Sequence, residues 1–173
     1  MLFHIKNGFT LIELIAVILI IAILAVFAVP SFQQYMAKQE VMQTMAKLGH
    51  ANQSAKNSAL LHHANIVICP SSSLSQCQSS QWSRGFIVFI DLNKNRTVDA
   101  GEKILQTERL DLQYGTLDWK GTLSIPSLTF QASTGLPNGS NGGFYYCSLT
   151  DQPHQKLNLS RMGHLRLEKI SAC

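Results

Sequence analysis

Residues 7–36 read NGFTLIELIAVILIIAILAVFAVPSFQQYM, and the rest of the chain takes its place from this stretch. Between Phe9 and Val29 only Thr10 and Glu13 are polar. As a helix this run is long enough to cross a bilayer core, which takes about 20 residues. A generic span does not explain Glu13, because a carboxylate in hydrocarbon costs roughly 2.5–3.5 kcal/mol on insertion scales. Glu13 therefore calls for a partner. A secretory signal would place its cleavage site after the apolar region. Here the small residue, Gly8, stands before it, behind MLFHIKN.

The run Gly8-Phe9-Thr10-Leu11-Ile12-Glu13 resembles the type III signal of type IV prepilins and pseudopilins. The resemblance implies that a prepilin peptidase cuts after Gly8, that Phe9 becomes a methylated N-terminus, and that the apolar stretch stays in the mature protein. It also implies that Glu13 pairs with the N-terminal amine of a neighbouring subunit, which neutralises the buried charge and sets the axial register of assembly. The expected organisation is a leader at 1–8, a transmembrane and assembly helix at 9–36, and a soluble globular domain at 37–173. The expected location is the bacterial inner membrane, single-pass with the globular domain in the periplasm, and then a filament.

At 173 residues the chain offers one domain beyond its anchor. The net charge of +4 is too small to imply a partner by itself. Its distribution is uneven: residues 152–173 hold Lys156, Arg161, Arg166 and Lys169 against Glu168 alone. The four cysteines, Cys69, Cys77, Cys147 and Cys173, all follow the membrane segment. In an oxidising compartment they should pair, and four cysteines permit three connectivities. The favoured pairing is Cys69 with Cys77, closing a short loop through PSSSLSQ, and Cys147 with Cys173, fastening the C-terminus to an inner strand. A zinc site is disfavoured, since there is no CxxC pair and His62 and His63 are adjacent.

Pro30 disfavours helical geometry at the residue before it, so a kink is expected near Val29 without an end to the helix. Val41, Met45, Leu48, Ala55 and Ala59 recur at helical spacing, with Lys38, Gln43, Lys47 and Lys56 on other faces. This predicts one helix from about Phe9 to Leu60, spanning with its first half and packing on a sheet with its second. Beyond it, strands are predicted at 66–69, 86–90, 103–107, 110–117, 122–125, 128–131, 144–149, 156–159 and 165–170. The Ser/Gln-rich stretch 71–81 and the Gly-rich stretch 134–143 read as loops. The fold class is α+β: a long N-terminal helix packed on a small antiparallel β-rich domain.

Trp82-Ser83-Arg84-Gly85-Phe86-Ile87-Val88-Phe89-Ile90-Asp91, followed by Asn93, Asn95, Asp99, Gly101 and Glu102, resembles the central hairpin of the FimT/FimU/GspH-like group of minor pilins and pseudopilins. Trp82 and Phe86 are expected in the core at the helix-to-sheet contact. The same segment places Asp91, Asn93, Asn95, Thr97, Asp99 and Glu102 at the oxygen-bearing positions of a calcium loop. Against calcium, the sixth position is Arg96 where Gly is needed, the flanks read as strands, and turns use Asn and Asp in any case.

Near the C-terminus, Gly163, His164 and Arg166 resemble a variant of the Gly-Arg-x-Arg motif of FimT-type minor pilins, some of which bind DNA in natural transformation. His164 stands where the first arginine should be. The resemblance implies a DNA-binding set of Lys156, Arg161, Gly163, His164, Arg166 and Lys169. Contacts of this kind go to phosphates, so binding would be salt-dependent and not sequence-specific. Tyr145 and Tyr146 are candidates for base stacking, although one of them must face the core. The alternative for this stretch is a solvated edge strand whose charges discourage edge pairing.

No nucleophile elbow, Gly-rich phosphate loop or paired zinc motif is present, so neither an enzyme nor a cofactor is expected. Together the resemblances imply a minor type IV pilin of the FimT-like kind, binding double-stranded DNA for uptake in competence. Its partners would be other major and minor pilins or pseudopilins, the prepilin peptidase and the inner membrane. The alternatives are a GspH-like pseudopilin of type II secretion, a purely structural FimU-like pilin, and a membrane-anchored calcium- or ligand-binding module that never polymerises.

Overall fold

The structure, a computed structural model, describes residues 10–137 and 142–173. The expectations for Gly8, Phe9 and the 1–8 leader lie outside those residues. A helix, α1, runs Leu11–His62. Thr10 opens it, accepting the Glu13 backbone N–H on both its carbonyl and its Oγ1. Pro30 sits inside the helix without ending it. The Ser31 hydroxyl donates to the Phe27 carbonyl at 2.9 Å, one turn back.

The chain divides into two compact units, one up to Met36 and one of Ala37–Cys173. In the first, every described residue from Thr10 to Met36 is exposed, and the helix is apolar and long enough to cross a membrane.

In the second unit the helix residues Ala37–His62 pack on two four-stranded antiparallel sheets. The strands are β1 (Asn65–Pro70), β2 (Gly85–Asp91), β3 (Ile104–Arg109), β4 (Gly115–Gly121), β5 (Leu128–Phe130), β6 (Gly142–Ser148), β7 (His154–Leu159) and β8 (Leu165–Ile170). The first sheet has the order β3-β2-β1-β5 and the second β4-β6-β7-β8. Ala51, Ala55 and Ala59 are completely buried on one helix face. Their small side chains let the backbone approach the sheets closely. The main core joins that face to Ile66, Ile68, Phe86, Val88, Leu128 and Phe130 of the first sheet and to Leu117, Trp119, Phe144, Tyr146, Leu157 and Leu159 of the second. Trp82 and Phe86 lie in this core, as expected from sequence. Trp82 meets Phe144 edge-on at 4.9 Å and so bridges the sheets.

A second, smaller core lies on the other face of the first sheet. Val67, Cys69, Ile87 and Phe89 are covered there by Leu74, Cys77, Val98 and Ile104. β1 and β2 are therefore buried on both faces, which is why they read as continuous apolar runs. The disulfide Cys69–Cys77 holds the 71–81 loop over this face, and Cys147–Cys173 ties the C-terminus to β6, an inner strand of the second sheet.

Two predicted strands differ. Residues 122–125 form a 3-10 turn, with Leu123 at φ 63° and Ser124 at φ 54°. Leu123 is 84% exposed and so has no sheet face to bury, while Pro126 lacks the N–H a ladder needs. The strand predicted at 110–117 begins only at Gly115 and runs on to Gly121. The backbone N–H groups of Leu110 and Leu112 donate instead to the Arg84 and Ser83 carbonyls, and those of Gln113 and Tyr114 to the Glu40 carboxylate.

Candidate functional site

Glu13 lies in the exposed apolar helix, and among the described residues its carboxylate has no hydrogen-bond or ion-pair partner. Its backbone N–H donates to Thr10. Among the described residues, nothing satisfies the one carboxylate of the apolar run.

The Asp91–Glu102 loop spends its oxygens on itself. Asp91 is 1% exposed, and its carboxylate accepts the backbone N–H groups of Asn95 and Arg96. Asp99 accepts the side-chain amides of Asn93 at 2.8 Å and Asn95 at 2.6 Å, and these donors, Asn93 first, hold its carboxyl below the usual value. Asn95 Oδ1 accepts the N–H and hydroxyl of Thr97, and Glu102 accepts the N–H groups of Leu92 and Asp99. Arg96 adopts φ 63° at the position where a calcium loop has glycine. Among the described residues no group of three or more His, Cys, Asp or Glu is placed to hold a metal. Val98, packed into the smaller core, anchors the loop to the sheet.

The C-terminal basic residues fall into three places. Directly opposed residues in a sheet share a face. Two cross-strand rows therefore lie on the face of the second sheet turned away from the core: Asp118, Tyr145, Lys156 and Glu168 in one, and Lys120, Gly143, Asn158 and Arg166 in the next. Lys156 and Arg166 are thus together. Lys169, opposite Gln155, is on the other face of edge strand β8. Arg161, Gly163 and His164 belong to the β7–β8 turn, where Gly163 takes φ 73° and its carbonyl accepts the Asn52 side-chain amide of α1 at 3.0 Å. Arg166 is far out in solvent and pairs with Glu168 at 3.6 Å, a contact worth little by itself.

Of the two tyrosines, Tyr146 is fully buried and unavailable for stacking. Its hydroxyl donates to Glu40 Oε1 at 2.6 Å. Burial, then this hydrogen bond and the Glu40 charge, raise its pKa well above the ordinary tyrosine value. Gly115 makes room for that contact, since a Cβ there would stand 2.3–2.5 Å from the Tyr146 ring and hydroxyl. Tyr145 faces outward, with the Lys120 ammonium 4.7 Å and the Lys156 ammonium 5.2 Å from its ring centroid. Sequence reasoning missed both Glu40 and Lys120. Glu40 carried a signal, a carboxylate three residues after Ala37 on the buried helix face, whereas Lys120 joins the basic set only through sheet register.

In fold, the chain is similar to crystal structures of the type IV minor pilin FimU of Pseudomonas aeruginosa. One matches at 18% identity with a TM-score of 0.59, covering 80% of this chain and 98% of that one. A second crystal form matches at 20% identity and 0.54, covering 76% and 98%. The minor pseudopilin EpsH of the Vibrio cholerae type 2 secretion system matches at 12% identity and 0.51, covering 75% and 97%. No curated sequence matches the chain. The prokaryotic N-terminal methylation motif matches residues 4–29, and the family described as type II transport protein GspH matches residues 45–163. With more than half of its length matched, the chain belongs to the GspH family of minor pilins and pseudopilins.

Proposed function

We propose that the chain is an inner-membrane subunit, cut after Gly8 and methylated at Phe9, that enters a filament with other pilins through its apolar helix. The observation that carries this reading is Glu13, on an exposed apolar helix, whose carboxylate has no partner among the described residues. The amine of Phe9 on a neighbouring subunit supplies its counter-charge. Intact-mass measurement of the chain from cells with an active prepilin peptidase should give a product beginning at Phe9 and carrying one methyl group. A chain that keeps residues 1–8 would refute this processing and favour a membrane-anchored module that does not polymerise.

Within that role we read the filament as a type IV pilus and the subunit as a non-sequence-specific contact for double-stranded DNA during uptake. What supports this is that Lys156 and Arg166 share one solvent face, with the turn bearing Arg161 and His164 at its end. The GspH family match favours a second reading, a type II secretion pseudopilus in which the same face meets another pseudopilin. Anisotropy of a labelled duplex separates them. Under the DNA reading the full mature chain in neutral detergent binds, more weakly as salt rises, and Arg166→Ala weakens binding. No binding even at low salt leaves a structural subunit of a pilus or of a secretion pseudopilus.

A further inference from the structure

Cations on a protein surface normally sit beside carboxylates, and the outward face of the second sheet departs from that pattern. The face carries two acids in the Tyr145 row: Asp118, whose Oδ1 accepts the Trp119 N–H at 2.9 Å, and Glu168, which pairs along its own strand with Arg166. Neither Lys120 nor Lys156 has a carboxylate within ion-pairing distance among the described residues. Instead both ammonium groups reach the Tyr145 ring, one from each strand flanking β6. They can be no further apart than the sum of the two ring distances, about 10 Å, which is comparable with the Debye length at 0.1 M salt. Their mutual repulsion is therefore not screened away.

Gly143 leaves room for the Lys156 stem. A Cβ at that position would stand 2.8 Å from the Lys156 Cε and 3.2 Å from its Cγ, so the Lys156 stem lies across the glycine on its way to the ring. Arg166 continues the Lys120–Gly143–Asn158 row at the far edge strand, three strand spacings or about 14 Å from Lys120. Two ammonium groups on the Tyr145 ring, with no ion-pair partner among the described residues, and Arg166 on the same face offer positive charge to a repeating anion.

We propose that Lys120 and Lys156, gathered on Tyr145 above Gly143, bind the phosphodiester backbone of double-stranded DNA. The inference rests on the DNA reading above and deepens it, adding Lys120 to that face and making Lys120 and Lys156, rather than Arg166, the principal contact. Tyr145 is a positioning residue: its ring holds the two ammonium groups, and its faces are taken by them rather than open to bases. The site thus reads phosphates and not sequence.

The test is the salt dependence of duplex binding by the full mature chain in neutral detergent. Each phosphate contact contributes about 0.9 to the slope of log K against log salt for B-DNA. Lys120→Gln with Lys156→Gln should make the slope shallower by roughly 2. Lys120→Arg with Lys156→Arg should restore it, and Tyr145→Phe should retain it. Tyr145→Ala should weaken binding with both lysines still present. Wild-type binding with an unchanged slope in the double glutamine variant overturns this site and leaves the DNA reading standing. No wild-type binding at low salt overturns both. Vesicles containing anionic lipid are run beside the duplex, and loss of vesicle binding with duplex binding unchanged in the double glutamine variant also overturns the proposal.

Discussion

Glu13→Ala should leave the chain in the membrane, cleaved after Gly8, yet absent from sheared filaments. The apolar run loses nothing it needs for insertion, since removing a carboxylate relieves a cost of roughly 2.5–3.5 kcal/mol in hydrocarbon. Under the proposed pairing, assembly loses the charge that opposes the methylated amine of the next Phe9, and that amine would then be buried unpaired. Glu13→Gln should give nearly the same defect, because a neutral amide cannot compensate a cation. Quantifying the variant in membrane and sheared fractions checks this, and incorporation at the wild-type level would remove Glu13 from assembly.

Glu40→Ala should cost about 3 kcal/mol of stability in the globular unit. The carboxylate accepts from Gln113 N at 2.7 Å, Tyr114 N at 3.1 Å and the Tyr146 hydroxyl at 2.6 Å, so one substitution removes three hydrogen bonds and strands the two part-buried donors, Tyr114 N and the Tyr146 hydroxyl. Hydrogen bonds to a charged group are worth about 1.5–3 kcal/mol each and do not add fully. For a chain of this size the melting temperature should fall by roughly 6–12 °C. Tyr146→Phe leaves the carboxylate its two backbone donors and should cost less, about 1–2 kcal/mol.

The tyrosine also sets a sign for pH. Its folded-state pKa is raised, so this stability is fully present below the unfolded value, about 10, and is lost as pH rises above it. Tyr146→Phe should flatten that alkaline loss. Melts between pH 8 and about 11 read both effects, and an unchanged alkaline slope in Tyr146→Phe would contradict the coupling.

How far the sequence reached is set by the range of the forces involved. The run from Phe9 to Val29 was legible because bilayer thickness imposes a length, and β1 and β2 because burial on both faces leaves continuous apolar residues. The helix over 37–62 was legible through Val41, Met45, Leu48, Ala55 and Ala59, all of which are buried. The start of β4 was not, because a carboxylate more than seventy residues away takes the N–H groups of Gln113 and Tyr114. Nor was the smaller core, which depends on Leu74 and Val98 folding back from loops that read as polar. In the basic region, the resemblance grouped Lys156, Arg166 and Lys169, but the register of β7 with β8 puts Lys169 on the opposite face. Lys120 enters their surface from a strand that sequence distance hides.

The most direct test of a filament role is quantitative mass spectrometry of filaments sheared from cells expressing the chain at its natural level. The expected result is the mature chain, beginning at Phe9, enriched in the sheared fraction together with other pilins. A chain that is processed and stable yet remains wholly in the membrane fraction would contradict it.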